Sequence, residues 1–211
     1  MENSDESWNV VSLRERKKLE TRRNIRQVAL DLALQSGMAN LTVEAIAEAA
    51  EVSPRTFFNY FSCKEDALVT DTAATVAELR PLIVNRPLDE TPLQSLQAVL
   101  TEADPLSLTK ANRERALARQ RLVQDNPALM SRQLAQYSTM ERELTGVFAD
   151  RFGVDRDDDL RPALVAAVAV GIIRVALRRW TAGGTESLSN VLRSVFDLVD
   201  EGALTTPPSA R

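Results

Sequence analysis

The chain has 211 residues, 44% hydrophobic and 27% charged, enough for one large domain or two small ones with a real core, and far from disordered or fibrous composition. It contains no histidine and one cysteine, which excludes Ser-His-Asp and Cys-His catalysis, His-ligated zinc, histidine acid–base chemistry and internal disulfide frameworks. Its net charge of -4, taken whole, argues mildly against a nucleic-acid partner, an inference that the distribution of charge along the chain reverses.

Residues 1–10, MENSDESWNV, are acidic and polar with no apolar core region, so no secretory signal is read there; the chain is expected in the cytoplasm with residues 1–11 flexible. Only seven glycines occur, Ala, Leu, Arg, Glu and Gln dominate, and no run alternates apolar with polar residues, so the expected fold is all-α. A first helix is predicted from Leu13 to Gln35, with Ile25, Val28, Ala29, Leu32 and Ala33 as its apolar stripe and Gly37 ending it. A second covers Val43 to Ala50, capped by Thr42, with Val43, Ile46, Ala47 and Ala50 turned inward. A third runs from Pro54 to Phe61, capped by Ser53, with Pro54 at the first position, where its missing N–H costs nothing. Ser62-Cys63-Lys64-Glu65 fits a capping box that opens a fourth helix over 64–84. Others are expected near 92–103, 106–124, 127–152, 158–181 and 186–201, with a frayed tail from Thr205. The longest apolar run, Ala163 to Ile173, is 11 residues, short of the roughly 20 that span a bilayer, so no membrane partner is expected.

The second and third helices are separated only by Glu51, Val52 and Ser53, the turn length of a helix-turn-helix. On the third helix Phe57 and Phe61 lie four apart and should pack on Ile46 and the first helix; Phe58 is read as core or half-buried too. The opposite face carries Arg55, Thr56, Asn59 and Tyr60. Arg suits guanine O6 and N7, Asn suits adenine N6 and N7, and Thr, Tyr and Lys64 suit phosphates. The helix starts at Thr42 and Ser53 add N–H donors and positive dipole ends. Arg14, Arg16, Lys17, Lys18, Arg22, Arg23 and Arg26 stand against only Glu15 and Glu20; residues 12–64 carry +3 and residues 65–211 carry -4. Alone such a basic run is a solvated face, but beside this motif it reads as an arm facing double-stranded DNA.

These residues closely resemble the TetR family of bacterial transcriptional regulators, through Thr42-Val43, Ile46-Ala47, Ala49-Ala50, Val52-Ser53, Thr56 to Phe61, Lys64-Glu65 and Ala67-Leu68. The departure is Cys63, where a small polar residue is usual. The resemblance implies an N-terminal three-helix DNA-binding domain, residues 1–66, and a larger helical ligand-binding and dimerisation domain, residues 67–211. It implies a homodimer on palindromic operator DNA, released by a small-molecule effector, with no cofactor, metal or catalytic residue. Family DNA contacts would fall on Thr42, Ser53, Pro54, Arg55, Thr56, Asn59, Tyr60 and Lys64. The SPRTFFNYF wording and NPAL at 126–129 are similar to an actinobacterial subset sensing acyl-CoA-like or fatty-acid ligands.

The C-terminal part is less specific. Candidate effector residues are Arg121, Gln124, Tyr137 and Arg174; Arg174 either pairs with an acid or holds a ligand's anionic group. The cluster Arg113, Arg115, Arg119 and Arg121 is either solvated surface or an anionic headgroup site. The helix near 158–181 is apolar all round, so in a TetR-like protein it and the last helix would form the dimer interface, with Val165, Val168, Ile172, Val191 and Val195 as candidates. An enzyme is disfavoured by the missing histidine and the lack of a glycine-rich phosphate loop. Asp155, Asp157, Asp158 and Asp159 lack the Gly and Glu of a calcium loop and read as an acidic helix start. The alternative is a helix-turn-helix regulator controlled by a partner protein.

Overall fold

The computed structural model describes residues 13–102, 110–182 and 186–202, with side chains from Lys17 onward apart from positions 102 and 110–112. The expectations for residues 1–11, for a helix start at 106 and for the tail from Thr205 lie outside these, as do the side chains of Arg14 and Arg16. The regular structure of the described residues is all helical: α1 (Leu13–Ser36), α2 (Val43–Ala49), α3 (Pro54–Phe58), α4 (Lys64–Leu68), α5 (Thr72–Val84), α6 (Pro92–Glu102), α7 (Lys110–Asp125), α8 (Pro127–Phe152), α9 (Arg161–Thr181) and α10 (Leu188–Asp200). None is long and apolar enough to cross a membrane.

The chain divides into two compact units, Met1–Val69 with Leu122–Arg132, and Thr70–Arg121 with Gln133–Arg211. The division thus differs from a single boundary at 66 and 67, because the corner between α7 and α8 belongs to the first unit. In that unit Ile25, Ala29 and Ala33 of α1 pack with Ile46, Phe57, Phe61 and Leu68, and Val123 and Leu129 of the corner join the same core. Gly37, at φ +79, takes the left-handed turn that ends α1, its N–H donating to the Ala33 carbonyl at 3.0 Å. Glu51 repeats that backbone at φ 56 without glycine's freedom, letting the Val52 N–H reach the Ala47 carbonyl at 2.9 Å.

In the second unit α5, α6, α8, α9 and α10 share a core that includes Leu79, Ile83, Leu96, Phe148, Ala169, Trp180 and Phe196. Arg151 holds the connection from α5 to α6 by donating to the carbonyls of Arg86 at 3.1 Å and Glu90 at 2.9 Å, and to that of Pro87. Buried Thr72 donates to the Gln136 carbonyl at 2.7 Å, tying the start of α5 to α8.

Three local expectations are corrected. The single helix over 64–84 is two, because Val69 is extended and Asp71 starts α5 by accepting from the Ala74 N–H at 3.2 Å. The capping box is absent: Cys63 occupies the cap without a side-chain bond, and the Ser62 hydroxyl donates to the Asp66 carboxylate instead. The third helix stops at Phe58, and Asn59 to Phe61 turn tightly after it, the Tyr60 N–H donating to the Phe57 carbonyl at 2.9 Å.

Candidate nucleic-acid interface

The reading surface is built on Phe57. This ring is fully buried and lies 5.5 Å from the Phe61 ring, so the residues about one helical step away are driven outward. Ser53, Pro54, Arg55 and Asn59 are exposed, as is Thr42 at the start of α2, whereas Thr56, Tyr60 and Lys64 are half-buried. Two of the caps use donors that would otherwise remain open. The Thr42 hydroxyl accepts from the Ala45 N–H at 3.1 Å and the Ser53 hydroxyl from the Thr56 N–H at 3.0 Å, with the Ser53 and Thr56 hydroxyls a further 2.8 Å apart. What α3 presents is a short helix with a sharply fixed start, whose outward groups include one guanidinium and one amide.

Phe58 corrects the expectation of burial: it is 56% exposed, edge-on to Phe57 with ring centroids 5.6 Å apart. The signal was present, since a residue next to Phe57 is rotated by about 100° from the buried face of a helix. Lys64 has an internal role that the motif did not disclose, donating to the carbonyls of Leu41 at 2.7 Å and Met38 at 3.2 Å. The basic arm is also divided. Lys17, Lys18 and Arg23 are exposed, whereas Arg22 and Arg26 are half-buried, their guanidinium carbons 5.1 Å and 5.8 Å from the Phe61 ring centroid. Asn24 fixes α1 against α2 through the Ala50 carbonyl at 3.1 Å. Cys63 is half-buried; burial pushes its thiol up, the Asp66 backbone N–H pulls it down, and the Glu65 carboxylate adds to the rise.

The candidate effector residues do not all fall in one unit: Arg121, Tyr137 and Arg174 belong to the second and Gln124 to the first. Arg121 and Gln124 are exposed. Tyr137 and Arg174 do meet, the guanidinium carbon 5.1 Å from the ring centroid. Arg174 is exposed. Burial pushes the Tyr137 hydroxyl up while the Arg174 and Arg178 charges pull it down. A groove of about 460 Å³ is lined by Arg80, Arg142, Glu143, Gly146, Ala149, Asp150 and Val154 to Arg156. Its lining is mostly charged, with Arg80 paired to Asp150.

The interface candidates are likewise redistributed. Ile172 and Val191 are buried in the chain's own core, and Val165, Val168 and Val195 are half-buried against it. The apolar side chains left bare on α9 are Leu164 at 66% and Val175 at 50% exposed, on the same side as Ala167, with Leu198 on α10. A helix that is apolar all round gives no phase from which to tell these two faces apart. The acidic run is structural: Asp155 accepts from the Asp157 N–H at 2.9 Å, and Asp159 accepts from the Arg161 N–H at 2.8 Å and from its guanidinium. Among the described residues no group of three or more acids and cysteine is placed to hold a metal.

A helix-turn-helix with an outward Arg and Asn on a recognition helix, carried by a helical body, defines a DNA-binding transcriptional regulator. The chain belongs to the TetR family. Residues 25–69 match the model of bacterial regulatory proteins of the tetR family, and residues 90–204 match that of the MftR C-terminal domain. The chain is 37% identical over 196 residues to the HTH-type transcriptional regulator TcmR of Streptomyces glaucescens, covering 90% of this chain and 87% of that one. It is 27% identical over 187 residues to the putative mycofactocin biosynthesis transcriptional regulator MftR of Mycobacterium tuberculosis, covering 89% and 93%. The fold is similar to the crystal structure of Thermus thermophilus FadR, a TetR family repressor in complex with lauroyl-CoA, at 24% identity and TM-score 0.50 over 90% of this chain and 98% of that one. The chain is therefore a transcriptional regulator and not an enzyme.

Proposed function

We propose that the protein is a dimeric repressor in the bacterial cytoplasm, released from a palindromic operator by a small molecule bound in its helical body. The observation that carries the DNA part is the pairing of exposed Arg55 and Asn59 with the buried Phe57 behind them, which aims two base-reading side chains from a fixed helix start. Thr42, Ser53 and Pro54 border the phosphate path, and Thr56 and Tyr60 flank it. Dimerisation is supported by the bare face of α9, where Leu164, Ala167 and Val175 are left in water unless a second copy covers them. Release follows from covalent continuity: α7 and α8 begin or end in the core of the first unit and run into the second, so a molecule preferring one arrangement of these helices changes the other unit's affinity for DNA. The lauroyl-CoA complex of the similar Thermus thermophilus protein makes fatty acids and acyl-CoA the first effectors to test.

The test is selection of binding sites from random double-stranded DNA. The expected product is a near-palindrome whose half-sites lie about 34 to 36 Å apart, one helical turn. Enrichment of no sequence, or of a single asymmetric half-site, would overturn the reading.

A further inference from the structure

Among the described residues Phe58 is the only exposed phenylalanine, with 56% of its surface in water, while Phe57 beside it is fully buried. A single apolar side chain in water needs no explanation on most of a protein surface. The place of this one does, because it stands on the face that carries Arg55 and Asn59. At about 100° per residue, Phe58 lies about 40° round α3 from Pro54 and about 60° from Arg55, away from the core side marked by Phe57 and Phe61. The outward surface of α3 therefore has three rows: Pro54 and Phe58, apolar and exposed; Arg55 and Asn59, polar and exposed; and Thr56 and Tyr60, hydroxyl-bearing and half-buried. The apolar row begins at Pro54, at the start of the helix, and Phe58 stands one turn further along it.

The ring is also held in place. It meets Phe57 edge-on, at an interplanar angle of 90° with centroids 5.6 Å apart, and Phe57 in turn lies 5.5 Å from Phe61. A side chain with two torsions, propped on one side by a buried ring, gives up little freedom when something covers its other side. The apolar partners that a duplex offers are few. In the major groove the base edges present hydrogen-bond donors and acceptors, and the thymine C5-methyl is the one apolar group among them. Residues three apart on a helix are separated by about 5 to 6 Å, against a rise of about 3.4 Å per base pair, so what Phe58 touches lies one or two base pairs from what Arg55 touches.

We propose that Phe58 reads thymine, its ring covering the C5-methyl of a base one or two pairs from the base read by Arg55 in each half-site. This rests on the reading of α3 as the helix that enters the major groove. It gives Phe58 a share of specificity that Arg55 and Asn59 do not supply: a guanidinium and an amide recognise hydrogen-bond patterns, and the O4 acceptor of thymine is unchanged when the methyl is removed. The ring has no donor or acceptor to offer a phosphate, so its contribution falls on sequence rather than on the affinity common to all DNA. Covering the methyl also takes the exposed face of the ring out of water, which the protein without DNA leaves bare.

The test takes the operator recovered by selection and replaces thymine with deoxyuridine, one position at a time in both half-sites, which removes the methyl and leaves base pairing and every hydrogen-bonding edge in place. Burial of one methyl corresponds to about fourfold in affinity, so the full-length wild type should bind about fifteenfold more weakly when the critical thymine is replaced in both half-sites. Phe58→Ala should bind the parent operator at least that much more weakly, with no further loss on deoxyuridine at that position. Phe58→Leu should keep part of the methyl dependence and Arg55→Ala all of it. The melting temperature of Phe58→Ala should stay close to that of the wild type, because the ring is exposed. The proposal is overturned by a wild type indifferent to every thymine methyl, by a methyl dependence as large in Phe58→Ala as in the wild type, or by a Phe58→Ala variant that weakens all sequences alike. A selection that enriches no sequence overturns the operator reading and this proposal with it, whereas an enriched operator without methyl dependence overturns only the role of Phe58.

Discussion

The Lys64 ammonium donates to the Leu41 carbonyl at 2.7 Å, joining the first turn of α4 to the connection between α1 and α2 across 23 residues of chain. With the bond to Met38, two of its three donors are used inside the protein. Lys64→Met is therefore expected to lower the stability of the DNA-binding unit by about 2 to 3 kcal/mol, the scale of losing hydrogen bonds to a charged group and leaving carbonyls unpaired. Urea unfolding followed by Trp-independent circular dichroism would measure it. An unchanged midpoint, with a salt slope of DNA binding reduced by about one, would return Lys64 to a phosphate contact alone.

Arg55 is exposed beside the buried Phe57 and has no cost of folding attached to it. Arg55→Ala should leave the melting temperature within a degree or so, weaken the selected operator by about 1 to 3 kcal/mol and relax discrimination at one base pair per half-site. Competition gel shifts with single-base operator variants decide this; uniform weakening on all sequences would mean a backbone contact.

Glu51 holds φ 56 in the turn between α2 and α3, a backbone that costs an L-residue roughly 1 to 2 kcal/mol. Glycine relieves that strain but loses about 0.5 to 1 kcal/mol to its freer unfolded chain. Glu51→Gly is expected to stabilise the unit by about 0.5 to 1 kcal/mol net, read as a higher urea midpoint.

Glu90 accepts from Arg86 Nε at 2.9 Å and from the Ser95 hydroxyl at 3.0 Å, and the Arg86 bond holds its carboxyl below the usual range. A carboxylate whose folded pKa is lowered stabilises fully above its ordinary pKa, and this contribution fades as the pH falls through the lowered one. The difference in melting temperature between the wild type and Glu90→Gln should accordingly be largest near neutral pH and close as the pH drops toward 3. A difference that is constant with pH would show that the loop is held by Arg151 without Glu90.

Leu164 and Val175 lie on the bare side of α9. Leu164→Glu should convert the dimer to a monomer in light scattering with little loss of monomer stability, whereas the same change at Ile172 should unfold the body, because Ile172 is internal. Abolished DNA binding in the Leu164 variant is the expected companion result, since one reading head grips only half an operator.

The reading head was largely legible in the sequence because its signals are local. Ser53 ahead of Pro54, Phe57 and Phe61 four apart, and Thr42 ahead of an apolar helix each specify geometry within a few residues. What escaped depended on distance along the chain. Nothing near Lys64 announces Leu41, and the break at Val69 to Asp71 is carried by one capping carboxylate inside an otherwise helical pattern. The body was legible as helices but not as faces: α9 carries apolar residues all round, so Val168 and Leu164 look alike until the neighbouring helices choose between them.

Val123 and Leu129 complete the core that holds Phe57 and Ile25. The reading head is consequently not a portable N-terminal cassette: a chain cut at Val69 and fused to another body would carry its DNA contacts but lack two residues of its interior. Exchange of operator specificity between relatives requires either the outward side chains of α3 alone or two crossovers, one after Val69 and one enclosing the 122–132 corner. Recombination that respects only the first boundary would yield heads loosened from within, so lineages of such regulators should diversify their targets by point substitution on the recognition helix more readily than by shuffling.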